Sequence, residues 1–277
     1  MSESSSVALQ RVRFPLRFRT LIVEQVQDLT PHMRRLVLAG EEMEGFRSLG
    51  FDDHVKVFPP LEGRAQVLPS VDEDNNPVWT GPTPVGRDYT PRGYQEGADR
   101  LVLDFATGHG GPVTQWVEQV RVGDEVGLGG PRGSFLVPPG HERQVLIGDD
   151  TAIPAILNRL EALSEGVKAV AVIEVEGPQD EHPVHSGAEV EVVWIHRQEV
   201  DQAPGAGLMQ AAVKAVTEME GPDIFVWGAM EAAVARALRP ALLAARPDLN
   251  PKLVRISSYW KRDEEDVLEV VSAGADD

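Results

Sequence analysis

The hydrophobic pattern of this 277-residue chain changes period once, near Pro138–Gly140, and that change limits the folds open to it. From Arg11 to about Pro139 the apolar residues come in short runs: "FRTLIVEQVQDLT", "MRRLVLAG", "DHVKVFPP", "DRLVLDFAT" and "DEVGLGGPRGSFLV". Several alternate with polar residues, and Gly, Pro or Asp separates them, so they read as strands. Many short strands at this spacing predict a closed antiparallel barrel or a sandwich. One helical segment, "GPVTQWVEQV" at 111–120, interrupts them. The polar stretch between Pro59 and Gly86 reads as a long loop with room for a hairpin.

After His141 strands and helices alternate, from "RQVLIGDD" and "TAIPAILNRLEALSEG" to "DIFVWGAM", "EAAVARALRPALLAARP" and "KLVRISSYW". This order predicts β-α units and a mainly parallel sheet. The expected architecture is an N-terminal antiparallel Greek-key β-barrel over 11–139 followed by a mainly parallel α/β nucleotide-binding domain over 140–277. Residues 1–10 are expected to form a disordered leader, since "MSESSSVALQ" lacks the basic start and apolar stretch of a secretory signal. The tail "SAGADD" is expected to fray.

Composition removes several functions. Without cysteine there is no disulfide, no thiolate-held iron–sulfur cluster and no cysteine nucleophile, which fits a reducing cytoplasm. With 44 acidic against 26 basic residues, the net charge of −18 repels nucleic acid and anionic membrane surfaces. No run approaches the ~18 apolar residues that would span a bilayer. His182 and His185 are close, but "EHPVH" brings no further ligands, and no metal centre is expected. No G-x-S-x-G elbow supports hydrolase chemistry.

Four stretches carry chemistry. In "GRDYTPRGY", Arg87 offers a planar cationic fork for phosphate, Tyr89 a flat ring and Thr90 a hydroxyl or an amide. The same residues would also suit a surface strand with an Arg–Asp pair and a turn. "ATGHGGPVTQW" places glycines before a helix start, where unpaired N–H groups bind anions, or simply turns into a helix. "LIGDDTAIPAI" and "VWGAMEAA" are strand–turn–helix segments at the ends of strands, where ligands bind in open α/β sheets. There Asp149 and Asp150 would equally serve as helix caps. "SSYWKR" sets two aromatics beside two cations, suited to a cofactor ring and an anionic substrate or to a solvated strand end. Arg197, after "VVWIH", is open to a nucleotide 2′-phosphate or to solvent.

Taken as an ordered set, "DHVKVFPP", "RDYTPR", "LDF…GGPVTQW", "GDEVGLGGPRGSF", "LIGDDTAIPAILNRLE", "FVWGAMEAAVARALR" and "SYWKR" resemble the siderophore-interacting protein family over about residues 15–262. These are flavin-dependent ferric-siderophore reductases of the ferredoxin-reductase-like group. The resemblance implies FAD on the barrel, NADH or NADPH on the second domain and a ferric siderophore as substrate. It also implies a cytoplasmic, monomeric enzyme. Arg87, Tyr89 and Thr90 would contact the pyrophosphate and isoalloxazine, and Gly111, Pro112, Val113 and Thr114 would form the phosphate turn. Asp150, Thr151 and Ala152 match the segment where the cofactors meet. Asp104, Thr107, Trp227, Gly228, Ala229, Glu231 and Trp260 complete the cofactor-binding candidates. Lys56, Arg132 and Lys261, with Arg262 as a substitute, are the candidates for holding an anionic siderophore.

Two departures stand out. Where the family often has a histidine before the phosphate-turn glycine, this chain has Thr107 in "FATGHGGP", in a segment one residue short. "MEAA" replaces the usual small residue before Glu. The implied mechanism asks for no protein acid or base, so no catalytic side chain is expected. A general flavin or ferredoxin-type oxidoreductase and a non-catalytic siderophore-binding flavoprotein are the alternatives on the same scaffold.

Overall fold

The computed structural model describes residues 10–60, 67–81, 85–94, 99–137, 140–199, 203–221 and 223–262. All of the expected leader except Gln10, and the expected frayed tail, lie outside the described residues. The chain divides into two compact units, Met1–Pro139 and Gly140–Asp277.

The first unit is antiparallel. Its strands are β1 (Gln10–Arg13), β2 (Phe18–Thr30), β3 (Met33–Ala39), β4 (Val55–Phe58), β5 (Ser70–Val71), β6 (Pro77–Val78), β7 (Arg87–Tyr89), β8 (Pro91–Tyr94), β9 (Arg100–Ala106), β10 (Glu125–Gly129) and β11 (Gly133–Leu136). Helix α1 (Pro112–Gln119) lies between β9 and β10. Strand β1 pairs with β11, and β5 with β6 forms the hairpin inside the long loop.

The other seven strands form one sheet in the order β7-β4-β10-β2-β3-β9-β8. Every neighbouring pair is antiparallel, so in a seven-strand series the two outermost strands run the same way. Those two, β7 and β8, are consecutive in the chain with Thr90 alone between them. They are two halves of one bent strand, the first hydrogen-bonded to β4 and the second to β9. The sheet therefore curls until its edges meet at Thr90. Because strand side chains alternate with period two, Leu21, Val23, Leu36, Leu38, Leu101, Leu103, Phe105, Val126 and Leu128 all enter the core, joined by Val113 and Val117 of α1. Each such buried side chain contributes about 1.5–3 kcal/mol.

The second unit is a parallel sheet of β12 (Arg143–Asp149), β13 (Lys168–Val175), β14 (Glu189–His196), β15 (Ile224–Glu231) and β16 (Val254–Trp260). Helices α2 (Ile153–Glu161), α3 (Ala206–Glu218) and α4 (Ala232–Ala245) follow β12, β14 and β15. The strand order is β14-β13-β12-β15-β16, so the winding reverses between β12 and β15. Val145 and Ile147 of β12 share a core with Leu208 and Val216 of α3 and Leu238 and Leu242 of α4. Gly148, on the opposite face, lies under α2: a Cβ there would stand 2.4 Å from Ala152 Cβ and 3.2 Å from Ile156 Cδ1. Glycine at 148 is what lets the turn after β12 fold back onto the sheet. Among the described residues no helix is long and apolar enough to cross a membrane, and no cluster of three His, Cys, Asp or Glu forms a metal site.

Candidate cofactor and substrate sites

In the first unit, the bent strand carries "RDYTPR". Pro91 has no N–H to donate and Thr90 is buried, so hydrogen bonding to β4 ends and hydrogen bonding to β9 begins across this bend. Closure brings Tyr89 against Phe105 of β9, with ring centroids 4.3 Å apart and planes at 49°. Burial pushes the Tyr89 phenol up to about 12, against the opposing influence of a hydrogen bond with Thr114 and the nearby Arg87 charge. Thr114 is itself buried in the first turn of α1. One hydrogen bond thus joins the two motifs that the sequence leaves apart.

The turn into α1 is open. Gly110 and Gly111 hold left-handed φ values of +72° and +96°, and a Cβ on either would meet nothing within 4 Å. Gly111 is the N-cap and Pro112 follows it, with no side chain capping the first turn. Uncapped N–H groups beside two glycines without side chains are the backbone donor set that a pyrophosphate requires. The residues present therefore fit FAD at this turn. Arg87 is half-buried, and its Nη1 donates to the Gly86 carbonyl at 3.0 Å. A Cβ on Gly86 would lie 2.5 Å from the Phe58 ring, so glycine lets β7 lie flat on β4.

The surrounding polar candidates are engaged within the unit. Both oxygens of Asp104 accept from Arg35, at 2.7 and 2.8 Å, and Arg92 lies 4.0 Å away. With its carboxylate buried, Asp104 holds those guanidinium groups in place instead of facing a ligand. Thr107 donates its N–H to the His32 carbonyl at 2.9 Å. It lines a half-open groove of about 480 Å³ with Asp28, Pro31, Arg34 and Glu118. Asp88 pairs across the sheet with Lys56 at 3.0 Å. Lys56 is opposite Gly129 in β10, three residues before the exposed Arg132, whose Nη2 donates to the Asn75 carbonyl at 3.2 Å.

In the second unit, the three strand-end motifs converge on Asp149. Its Oδ1 accepts from Thr151 N–H at 3.1 Å and Thr151 Oγ1 at 2.5 Å, capping the 3-10 turn Asp150–Ala152. Its Oδ2 accepts from the Glu231 amide at 3.0 Å and from Trp260 Nε1 at 2.7 Å. The turn after β12 and the ends of β15 and β16 are thereby held as one cluster beside the winding reversal. Glu231 caps α4 through Ala233 and Val234 N–H groups. Trp227, by contrast, is 1% exposed and packs edge-on to Tyr259, so its indole belongs to the core and cannot reach a cofactor. Ala152, Gly228 and Ala229 are also buried and can offer only main chain. Lys261 follows Trp260, and the Arg262 guanidinium stands 5.8 Å from the Trp260 ring centre.

Asp150 departs from its neighbour. It does not cap the turn but takes Arg197 Nη2 at 2.7 Å, while Arg197 Nε and Nη1 reach Glu174 at 3.3 Å and Glu176 at 3.4 Å. Sequence reasoning offered Asp149 as a cap, which it is, but singled out neither its ties to Glu231 and Trp260 nor these glutamates. Asp149 carried a local signal, a carboxylate two residues before a threonine at the end of an apolar strand. Glu174 and Glu176 gave a weaker one, at the end of the next strand.

Comparison with known proteins adds to this picture. Residues 22–135 match the family model described as siderophore-interacting FAD-binding domain, and residues 141–263 match that described as siderophore-interacting protein. An Escherichia coli K12 protein named NADPH-dependent ferric-chelate reductase is 37% identical over 257 residues, covering 91% of this chain and 96% of that protein. The Vibrio cholerae ferric vibriobactin reductase ViuB is 27% identical, covering 84% of this chain and 86% of its own length. A siderophore utilization protein from T. fusca superposes with a TM-score of 0.84 at 31% identity, over 96% of this chain and all of that one.

Proposed function

The chain belongs to the siderophore-interacting protein family, and on that premise we propose that it is an FAD-dependent NAD(P)H:ferric-siderophore reductase that releases Fe(II). The observation that carries the reading is the joining of Tyr89 to Thr114 beside the open Gly110–Gly111 turn. It builds a phosphate cradle and an aromatic wall on the same part of the barrel.

In this reading residues 11–139 hold FAD. Arg87 and the first-turn amides of Val113 and Thr114 bind the pyrophosphate, and Tyr89 and Thr90 line the ring side. Residues 140–277 take the nicotinamide dinucleotide at the carboxyl ends of β12 and β15, where winding reverses. Asp150, Thr151, Ala152, Gly228 and Ala229 border that position, and Trp260 covers it. When bound, FAD supplies the conversion between a hydride pair and the single electrons that iron accepts. Oxygen-rich chelates hold hard Fe(III) better than Fe(II), so reduction loosens the substrate's grip on its metal. No side chain has to move a proton for this, and we assign no catalytic residue. Against a net charge of −18, Lys56 and Arg132 of the first unit, and Lys261 and Arg262 of the second, are the cations each unit offers to an anionic chelate. The enzyme acts as a cytoplasmic monomer.

The test is an anaerobic absorbance experiment on the full chain with FAD, a ferric siderophore, a ferrous trap and NADH or NADPH. Bleaching of the flavin on donor addition, followed by recovery as the ferrous complex appears, is expected. A protein that binds FAD but is bleached by neither nicotinamide is not this enzyme.

A further inference from the structure

Arg197 begins the turn after β14 and collects three carboxylates from the ends of two neighbouring strands. Nη2 is held by Asp150 after β12, and Nε by Glu174 in β13. Nη1 is held by Glu176, just beyond β13. The three partners are not equivalent. The side chains of Asp150 and Glu174 are 6% and 9% exposed, at 2.7 and 3.3 Å from the guanidinium. Glu176 is 36% exposed and the farthest, at 3.4 Å. Its other ties are to a single neighbour, Gln198, whose Nε2 is 3.4 Å from Oε1 and whose N–H donates to the Glu176 carbonyl at 3.2 Å. Two carboxylates therefore fix Arg197 from the protein side, and a third occupies its solvent-facing edge.

That edge lies at the carboxyl ends of β12, β13 and β14. In doubly wound sheets this is where an acidic group at the end of the second strand meets a ribose 2′-hydroxyl, or an arginine accommodates a 2′-phosphate. Here both kinds of group are present, and they are bonded to each other. We propose that Glu176 sets the nicotinamide selectivity of this protein by competing with a nucleotide 2′-phosphate for Nη1 of Arg197. The inference rests on the reading that the second unit binds the dinucleotide.

Three features follow from the geometry. A phosphate can take Nη1 only by displacing Glu176, and the cost is modest because that carboxylate is returned to water. Asp150 and Glu174 keep the guanidinium in place during the exchange, so the site is preformed for either occupant. A 2′-hydroxyl has no charge to contest the position, and Glu176 is free to accept its hydrogen bond.

The experiment uses the full chain and measures binding by calorimetry with adenosine 2′,5′-bisphosphate and with AMP, and then with NADP⁺ and NAD⁺. Glu176→Gln removes the competing charge at constant shape. It is expected to tighten adenosine 2′,5′-bisphosphate and NADP⁺ by up to about fivefold, the upper end for a partly exposed ion pair, and to change AMP and NAD⁺ by less than about twofold. Glu176→Asp, which keeps the charge on a shorter arm, is expected to fall between wild type and Glu176→Gln. Thermal unfolding of each variant reports whether the fold is intact. If both phosphate states shift equally, or neither shifts while NAD⁺ still binds, the role of Glu176 is wrong and the reading of the second unit stands. If no adenine nucleotide binds to any form, that reading falls and takes this one with it.

Discussion

Trp260 Nε1 donates to Asp149 Oδ2 at 2.7 Å, tying the last strand of the second unit to the end of its first across 111 residues of chain. The carboxylate is buried, and four donors converge on it. Asp149→Ala strands the Glu231 and Thr151 amides and the Trp260 indole together. Because each unsatisfied buried donor costs about 1–3 kcal/mol, the second unit should lose several kcal/mol in urea unfolding. Asp149→Asn, which keeps one acceptor, should lose less. Trp260→Phe should lose only about 1 kcal/mol, and a larger loss there than in Asp149→Ala would reverse the assignment of the hub.

Gly111→Ala tests the phosphate cradle. The added methyl meets no atom, so any effect comes from φ of +96°. Forcing an L-residue there costs roughly 1–2 kcal/mol, and the turn is expected to relax away from its open form. Equilibrium dialysis should then show weaker FAD retention with little change in the unfolding midpoint of the second unit. Undiminished FAD affinity would move the pyrophosphate elsewhere.

Tyr89 offers a separable pair of substitutions. Tyr89→Phe keeps the stack on Phe105 and loses the bond to Thr114, at about 1 kcal/mol. Tyr89→Ala also loses the ring and should cost about 3–5 kcal/mol. In ultraviolet titration of the wild type, the Tyr89 phenolate forms only at about 12, and Tyr89→Phe should lack that step.

His196 gives the second unit a pH response. Burial lowers its pKa, but hydrogen bonds with Glu199 and Glu181, at 3.2 and 2.9 Å, outweigh that and raise it above 6.5. A raised histidine contributes stability that is complete below its unfolded pKa and is lost as pH rises through the folded one. The unfolding midpoint should therefore fall as pH rises above the ordinary histidine range, and His196→Gln should flatten that slope. An unchanged slope in the variant would place the titration on another group.

Charge removal at Lys56 and Arg132 separates substrate attraction from flavin reduction. The double substitution to Gln should raise KM for an anionic ferric siderophore several-fold, with little effect on reduction of a neutral acceptor. Added salt should shrink the difference between the wild type and the variant. Equal losses with both acceptors would assign these residues a structural role.

Much of this molecule was legible in the sequence because its signals are local. Strand runs at period two, the turn glycines and the change of pattern after His141 each lie within a few residues, and β2, β3, β9 and β12 follow from them. "TAIPAILNRLEALSEG" is helical only over Ile153–Glu161, after a 3-10 turn that Asp149 caps. What could not be read was non-local. That Asp104 faces Arg35 depends on β3–β9 register, and that Arg197 faces Asp150 depends on three strand ends being neighbours. The place of the Trp227 ring is non-local too: β15 runs between β12 and β16 and is buried along its whole length, so the ring lies in the core.

The bent strand at Thr90 has a further consequence for how the barrel can be taken apart. Its ring is interrupted at one place, and there the polypeptide itself spans the gap. A circular permutant opened at Thr90 would release β7 and β8 as two unpaired edges, and such edges invite pairing with another chain. Opening the chain instead at the β2–β3 turn, with the original ends linked, leaves the stitch intact. The first permutant should exchange strands with a second copy in sedimentation experiments, and the other should not.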